Sequence, residues 1–263
     1  HTRETLHNIM SDGTTTTSEV VELDRLNLID VDRTLFRSGD FMLALHDALL
    51  DMSSVNSLLP GREQVLQDIS AESLPFARYY NEKGVQLNAL YAASESLGDL
   101  YVYDDVVEAL DRLPGRTILY TKGERDTQEV KLHHGGLSKK AEGVRSYDET
   151  SKPGVWIVQS NKGRLLKHAI DRGASNDGMI VLRMNNVEYR VNKLMFVDDK
   201  YEEIRPLVDL ARCNIPLFLA HIVRIDSKYG AADDRDESVV VQIETLRDLE
   251  TKLQELRHRK KLS

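Results

Sequence analysis

The sequence predicts an α/β protein in which a parallel-sheet core carries an inserted helical segment. Short apolar runs that end abruptly in polar or acidic residues recur along the chain, and amphipathic helical patterns alternate with most of them. Strands that alternate with helices in this way are typical of parallel sheets, whose buried strands are almost continuously apolar. The predicted strands are 26–32, 116–121, 155–159, 193–199, 215–221 and 239–243.

The stretch between the first two predicted strands is helical in pattern, which indicates an insertion into the core. We therefore predict a helical cap over residues 37–100 and an α/β core formed by residues 21–36 and 101–263. Residues 1–20 are polar and lack apolar periodicity, so we expect a disordered tail or tag remnant there. Asn185-Asn186 lies between two β-type runs and predicts a hairpin over residues 179–191, either as an elaboration at the sheet edge or as a sign of a different strand order.

Composition excludes several classes of function. The 263 residues include 35 basic and 43 acidic side chains, a formal charge of −8 that makes nucleic acid an unfavourable partner. Cys213 is the only cysteine, so an internal disulfide is excluded and a reducing compartment is expected. No apolar run is long enough to span a bilayer, and the first residues lack the apolar core of a signal peptide. We expect a cytoplasmic protein that binds no membrane.

Two pairs of acids follow predicted strands, and they are the candidate chemistry of the sequence. Asp30 and Asp32 end the first strand, whereas Asp198 and Asp199 end the strand at 193–199. The carboxyl ends of parallel strands are where open sheets bind ligands. If these strands are neighbours, several carboxylates converge and require a cation, for which Mg²⁺, an oxygen-seeking ion, is the natural choice.

The segment DVDRTLF at residues 30–36 resembles motif I of the haloacid dehalogenase-like superfamily. Thr121 closes an apolar strand as motif II does, and Asp198-Asp199 closes another as motif IV does. Gly123 and the run Gln128-x-x-Lys131-Leu132 are also similar to the sequence that follows motif II in this family. The resemblance covers residues 26–200, with its motifs in the family order, and implies a Rossmann-like core with a cap over the site.

The resemblance also implies a mechanism, that of a Mg²⁺-dependent phosphatase acting on a small phosphomonoester. Asp30 would attack phosphorus to form an aspartyl phosphate, and Asp32 would protonate the leaving oxygen and then activate water. Thr121, with Gly123 beside it, would bind the phosphoryl group. Mg²⁺ would be held by Asp30, the backbone carbonyl of Asp32, Asp198 and Asp199. Dehalogenases of the superfamily lack an acid two residues after the nucleophile, so Asp32 favours phosphate as substrate.

A lysine completes the implied site, and the sequence offers two candidates. Lys162 starts a predicted helix after the strand at 155–159, whereas Lys152 precedes that strand. We predict that Lys162 neutralises the nucleophile and the phosphate. Two other functions remain open on the same fold: a phosphomutase, and a non-catalytic phosphate-binding or interaction protein.

Overall fold

The computed structural model describes residues 4–9, 16–52, 54–70, 75–98, 100–133, 137, 154–173, 178–184, 187–213, 215–225 and 235–262. The chain divides into two compact units. Unit 1 comprises His1–Asp30, Arg112–Ile118 and Ser160–Ser263, and unit 2 comprises Val31–Asp111 and Leu119–Gln159.

The strands are β1 (Glu4–Ile9), β2 (Thr16–Leu23), β3 (Leu26–Ile29), β4 (Arg116–Lys122), β5 (Val155–Val158), β6 (Ile180–Met184), β7 (Val187–Val191), β8 (Leu194–Asp198), β9 (Leu217–Ile222) and β10 (Val240–Ile243). The α-helices are α1 (Ser38–Asp51), α2 (Arg62–Ser70), α3 (Phe76–Glu82), α4 (Leu87–Ser96), α5 (Val106–Arg112), α6 (Arg125–His133), α7 (Lys162–Gly173), α8 (Tyr201–Ile204), α9 (Val208–Arg212) and α10 (Leu249–Leu262). Short 3-10 helices occur at Asn56–Leu58, Arg205–Leu207 and Leu246–Asp248.

Six of the described strands form one sheet in the order β10-β9-β8-β3-β4-β5. The pairs β10–β9, β9–β8, β8–β3 and β4–β5 are parallel. Every residue of β3 and β8 is buried, as expected for central strands of a parallel sheet that is covered on both faces. The predicted α/β, Rossmann-like core is confirmed.

The second sheet was not predicted. In unit 1, four strands lie in the order β1-β2-β7-β6, with β2 parallel to β7 and the other pairs antiparallel. Strand β1 and the start of β2 lie within residues 1–20, and the tail boundary at residue 20 stays a prediction. The 179–191 hairpin is confirmed as β6 and β7, but it belongs to this second sheet rather than to the edge of the first; Asn185-Asn186 lies outside the described residues.

Helices α1 to α4 lie in unit 2, within residues 37–100. Phe41 of α1 is fully buried, and its ring lies 4.9 Å from Phe36 and 6.2 Å from Phe76, measured between centroids. Aromatic contacts of this kind join the helices into one core. Because unit 2 also includes residues 31–36, 101–111 and 119–159, the cap boundary at 37–100 stays a prediction. Among the described helices, none is both long and apolar enough to cross a membrane.

Gly163 allows a close helix contact in unit 1. A methyl group at this position would overlap the backbone carbonyl oxygen of Glu203 in α8. The contact brings the start of α7 against α8, where the Lys162 backbone N–H donates to Glu203 Oε2 at 2.5 Å. Glycine is therefore required here to position Lys162.

We predict that Gly163→Ala lowers the free energy of unfolding by at least about 2 kcal/mol, since a backbone atom cannot yield as a side chain can. Gly39→Ala is the matched control, because Gly39 is likewise the second residue of a helix but is exposed, with nothing near its missing Cβ. It should be neutral or stabilise by up to about 1 kcal/mol. Urea unfolding measures both, and equal effects would contradict the close contact.

Candidate active site

Three acids meet at the carboxyl ends of β3 and β8. Ile29 pairs with Val197, and the backbone N–H of Asp30 donates to the Val197 carbonyl at 2.9 Å. This register places Asp30 beside Asp198 and Asp199, and one carboxylate oxygen from each lies within 4.8 Å of the others. All three side chains are buried. Adjacent parallel strands thus bring together acids that are about 170 residues apart in the chain.

Lys162, the first residue of α7, is buried against this cluster. Its Nζ contacts Asp30 Oδ1 and lies 2.7 Å from Asp198 Oδ2. The other oxygen of Asp198 accepts a hydrogen bond from the backbone N–H of Lys200 at 2.9 Å. Of the two candidate lysines, Lys162 is thus in contact with two of the acids, whereas Lys152 lies outside the described residues.

The pKa values in the cluster reflect burial first and the neighbouring charges second. Burial raises the pKa of Asp198 to about 7 despite the nearby Lys162 ammonium. Burial, together with the charges of Asp30 and Asp198, raises the pKa of Asp199 to about 9. Burial alone would lower the pKa of Lys162, but the carboxylates of Asp198 and Asp30 raise it above its usual range.

These residues fit a divalent cation. In their ionised forms, which a bound cation would favour, the three carboxylates and the one ammonium leave two uncompensated negative charges. Asp199 Oδ2 is buried and has no hydrogen-bond partner among the described residues, and a buried carboxylate oxygen left in this way is costly. The donors are all oxygens, which Mg²⁺ prefers. Asp30, Asp198 and Asp199 would be the side-chain ligands.

His221 was not among the predicted site residues. It lies on β9 opposite Asp198, and its Nε2 is 3.1 Å from the backbone carbonyl oxygen of Asp199. Because a carbonyl only accepts, Nε2 carries the proton and donates it. Burial lowers the pKa of His221, which favours this neutral form. His221 thereby fixes the backbone at Asp199, and a single buried histidine gave no signal of this role.

In unit 2, a second group of residues surrounds the Asp32 carboxylate. Oδ1 accepts hydrogen bonds from Ser38 Oγ and from Lys131 Nζ, the latter at 2.7 Å, and Oδ2 accepts one from Gln128 Nε2 at 3.2 Å. Burial alone would raise the pKa of Asp32, but the Lys131 ammonium and these hydrogen bonds lower it to about 2. Asp32 is therefore ionised at neutral pH.

Thr121 and Gly123 flank the same group in unit 2. Thr121 is fully buried at the end of β4 and donates from Oγ1 to Gln128 Oε1 at 3.0 Å. Gly123 follows with a φ of 145°, in a region that favours glycine. Its carbonyl accepts a hydrogen bond from Gln159 Nε2 at 2.7 Å.

The predicted site residues thus form two sets, each within one unit. Unit 1 contains Asp30, Lys162, Asp198 and Asp199, and unit 2 contains Asp32, Thr121 and Gly123. Sequence reasoning missed the roles of Ser38, Gln128, Lys131 and His221. For Gln128 and Lys131 a signal was present, because both lie in the run that resembles the family sequence after motif II.

Several solved structures are similar to this chain. The crystal structure of a haloacid dehalogenase-like hydrolase from Burkholderia xenovorans LB400 has a TM-score of 0.53 and 18% identity, and the match covers 89% of this chain and 98% of that one. A haloacid dehalogenase-like hydrolase from Xanthomonas campestris has a TM-score of 0.46 at 14% identity, covering 91% and 98%. A magnesium-bound HAD hydrolase from Bacillus subtilis has a TM-score of 0.45 at 11% identity, covering 86% and 97%.

No protein-family model matches the sequence, and no curated protein does. At 18% identity, the Burkholderia structure establishes the fold alone. The parallel sheet and the acids at the ends of its strands define an α/β protein with a strand-end site. Within that class, the chain has the fold of this haloacid dehalogenase-like hydrolase, as the motif resemblance predicted.

We predict that Lys162→Met lowers the free energy of unfolding by about 3 kcal/mol at pH 8 without added metal, because buried carboxylates lose their counter-charge. Lys252→Met is the control: Lys252 pairs with Glu255 at 3.0 Å on the exposed face of α10, and exposed pairs contribute less than about 1 kcal/mol. Urea unfolding measures both variants. Similar losses for the two lysines would show that Lys162 does not offset the buried acids.

Proposed function

We propose that the protein is a Mg²⁺-dependent phosphatase that hydrolyses a small phosphomonoester through an aspartyl phosphate. The observation that carries this proposal is the buried cluster of Asp30, Asp198 and Asp199 with Lys162 in contact. The Asp30 carboxylate would be a nucleophile beside a fixed ammonium. Because the ionised site carries an excess of negative charge, it can bind an anionic substrate only if a cation is also bound. Bound Mg²⁺ would offset the charge of the carboxylates and of the phosphoryl oxygens.

In the first step, an oxygen of Asp30 attacks phosphorus and the bond from phosphorus to the ester oxygen breaks. The leaving oxygen takes a proton from Asp32, two residues along the chain. This step requires the protonated form of Asp32, which the negative charge of the bound phosphomonoester would favour. The product of the step is an alcohol and a phosphorylated Asp30.

In the second step, water attacks the phosphorus of the aspartyl phosphate and releases inorganic phosphate. Asp32, now ionised, takes the proton of the attacking water. Its low pKa favours the ionised carboxylate that this step requires. The Asp30 carboxylate is thereby restored. Lys162 and Thr121 would hold the phosphoryl oxygens throughout, the first by charge and the second by its hydroxyl group.

Two other functions use the same fold. A phosphomutase would return the phosphoryl group to its substrate rather than to water, with Asp30 and Asp32 in the same roles. A non-catalytic phosphate-binding protein has no chemical need for Asp32, which is present and held by three side chains. The acid at position 32 also supports phosphate esters over haloacids as substrates.

We predict that the purified protein releases phosphate from at least one member of a phosphomonoester panel, that EDTA abolishes this release and that Mg²⁺ restores it. Asp30→Asn should show no turnover, because the amide is not a nucleophile, whereas Asp40→Asn on the exposed start of α1 should keep full activity. Colorimetric phosphate assays measure all of these. Turnover by Asp30→Asn would contradict the covalent mechanism, and halide release from 2-haloacids would identify a dehalogenase.

We also predict that Lys162→Ala lowers kcat by at least about a hundredfold, about 2.7 kcal/mol in activation free energy, while Lys152→Ala leaves most activity intact. The reason is the contact of Lys162 with Asp30 and Asp198. Steady-state kinetics of the two variants provides the comparison. The reverse pattern would transfer the role to Lys152 and leave the phosphatase proposal in place.

A further inference from the structure

Gln128 lies between the two side chains of unit 2 that the proposed mechanism uses. Its Oε1 accepts from Thr121 Oγ1 at 3.0 Å, and its Nε2 donates to Asp32 Oδ2 at 3.2 Å and to the Lys122 carbonyl at 3.2 Å. The side chain is 2% exposed. One amide thus connects Asp32, the second acid of the first motif, with Thr121 near the end of β4.

The orientation of this amide is determined by its partners. An ionised carboxylate and a backbone carbonyl can only accept hydrogen bonds, so the NH₂ group must face Asp32 and Lys122. The Gln128 oxygen then faces Thr121, which donates its hydroxyl proton. The reverse orientation would place Oε1 against two acceptors, and each buried mismatch is costly.

Gly123 provides the space that Gln128 occupies. A Cβ at position 123 would lie 2.7 Å from Gln128 Nε2, closer than packing allows, and the φ of 145° is itself unfavourable for any other residue. Gly123 was predicted to bind substrate. That role stays a prediction, and the missing Cβ of Gly123 also lets the Gln128 amide reach Asp32.

From these contacts we infer that Gln128 is a positioning residue, one that orients the Asp32 carboxylate for proton transfer and holds the Thr121 hydroxyl until substrate arrives. The inference rests on the proposed phosphatase function. Ser38 and Lys131 both contact Oδ1, whereas Gln128 is the described residue that holds Oδ2. Without Gln128, the carboxylate keeps its ion pair but can rotate about it.

The hydroxyl of Thr121 has a single proton, which determines the expected kinetics. To bind a phosphoryl oxygen it must turn away from Gln128, so the bond to Gln128 competes slightly with substrate. Gln128→Met keeps the length of the side chain and removes all three hydrogen bonds. We expect kcat to fall about tenfold or more while KM stays equal or decreases.

Gln128→Glu tests the direction of the hydrogen bonds. The substitution keeps an acceptor for Thr121, but it replaces the donor to Asp32 with a second carboxylate. We expect a larger loss of kcat than in Gln128→Met. Gly123→Ala should also lower kcat, because its methyl group displaces the amide. Gln64→Met in α2 is the control, since Gln64 makes its hydrogen bond to Asp68 on the exposed surface.

A double-mutant cycle separates positioning from general structural support. If Gln128 acts through Asp32, Gln128→Met should have at most a twofold effect on the residual kcat of Asp32→Asn. Unfolding of the same four proteins in urea gives a second cycle, which should show coupling because the side chains touch. This second cycle needs no activity.

The results of these experiments distinguish a failure of the proposed function from a failure of the role inferred for Gln128. A wild-type protein that releases no phosphate would overturn the proposed function and, with it, the role of Gln128 in catalysis. If the wild-type protein is active, either of two results would overturn this inference alone. In the first, Gln128→Met keeps kcat within twofold of the wild-type value. In the second, Gln128→Met lowers kcat by the same factor in the wild-type protein and in Asp32→Asn. If Gln128→Met and Asp32→Asn are coupled in the free energy of unfolding but not in kcat, Gln128 has a purely structural role.

Discussion

The contact of one buried ammonium with two of three buried carboxylates is the interaction on which the candidate site depends. Asp30, Asp198 and Asp199 meet because β3 and β8 are parallel neighbours that end at the same edge. Like charges repel strongly in a site that excludes water, and a single lysine offsets only part of that repulsion. The remaining negative charge is what makes the cluster suitable for a divalent cation and, through it, for an anionic substrate.

The surroundings of Asp32 have the opposite effect, because they stabilise its ionised form. Its carboxylate is surrounded by donors and has a lowered pKa, whereas the pKa values of Asp198 and Asp199 in unit 1 are raised. Carboxylates in such different surroundings are suited to different tasks. The surrounding residues, Gln128 and Lys131 for Asp32 and Lys162 for the cluster, therefore matter as much as the acids themselves.

Much of this arrangement could be predicted from the sequence, because it follows from strands that end in charged residues. The apolar runs before Asp30 and Asp198 identified central strands, and the helix pattern after β5 placed Lys162 at a helix start. Strands β1 and β2 could not be found in this way, since they are rich in polar residues and β2 pairs with β7, far along the chain. The roles of Gln128 and His221 likewise depend on side-chain hydrogen bonds between distant segments, which leave no periodic pattern.

We propose that Asp30 becomes phosphorylated during turnover, and chemical trapping can detect this intermediate. Borohydride reduces an acyl phosphate on aspartate to homoserine, so the protein would be quenched during turnover with Mg²⁺ and substrate, reduced and analysed by peptide mass spectrometry. We expect homoserine at position 30, absent when substrate or Mg²⁺ is omitted. Homoserine at another aspartate, or none during active phosphate release, would contradict the account.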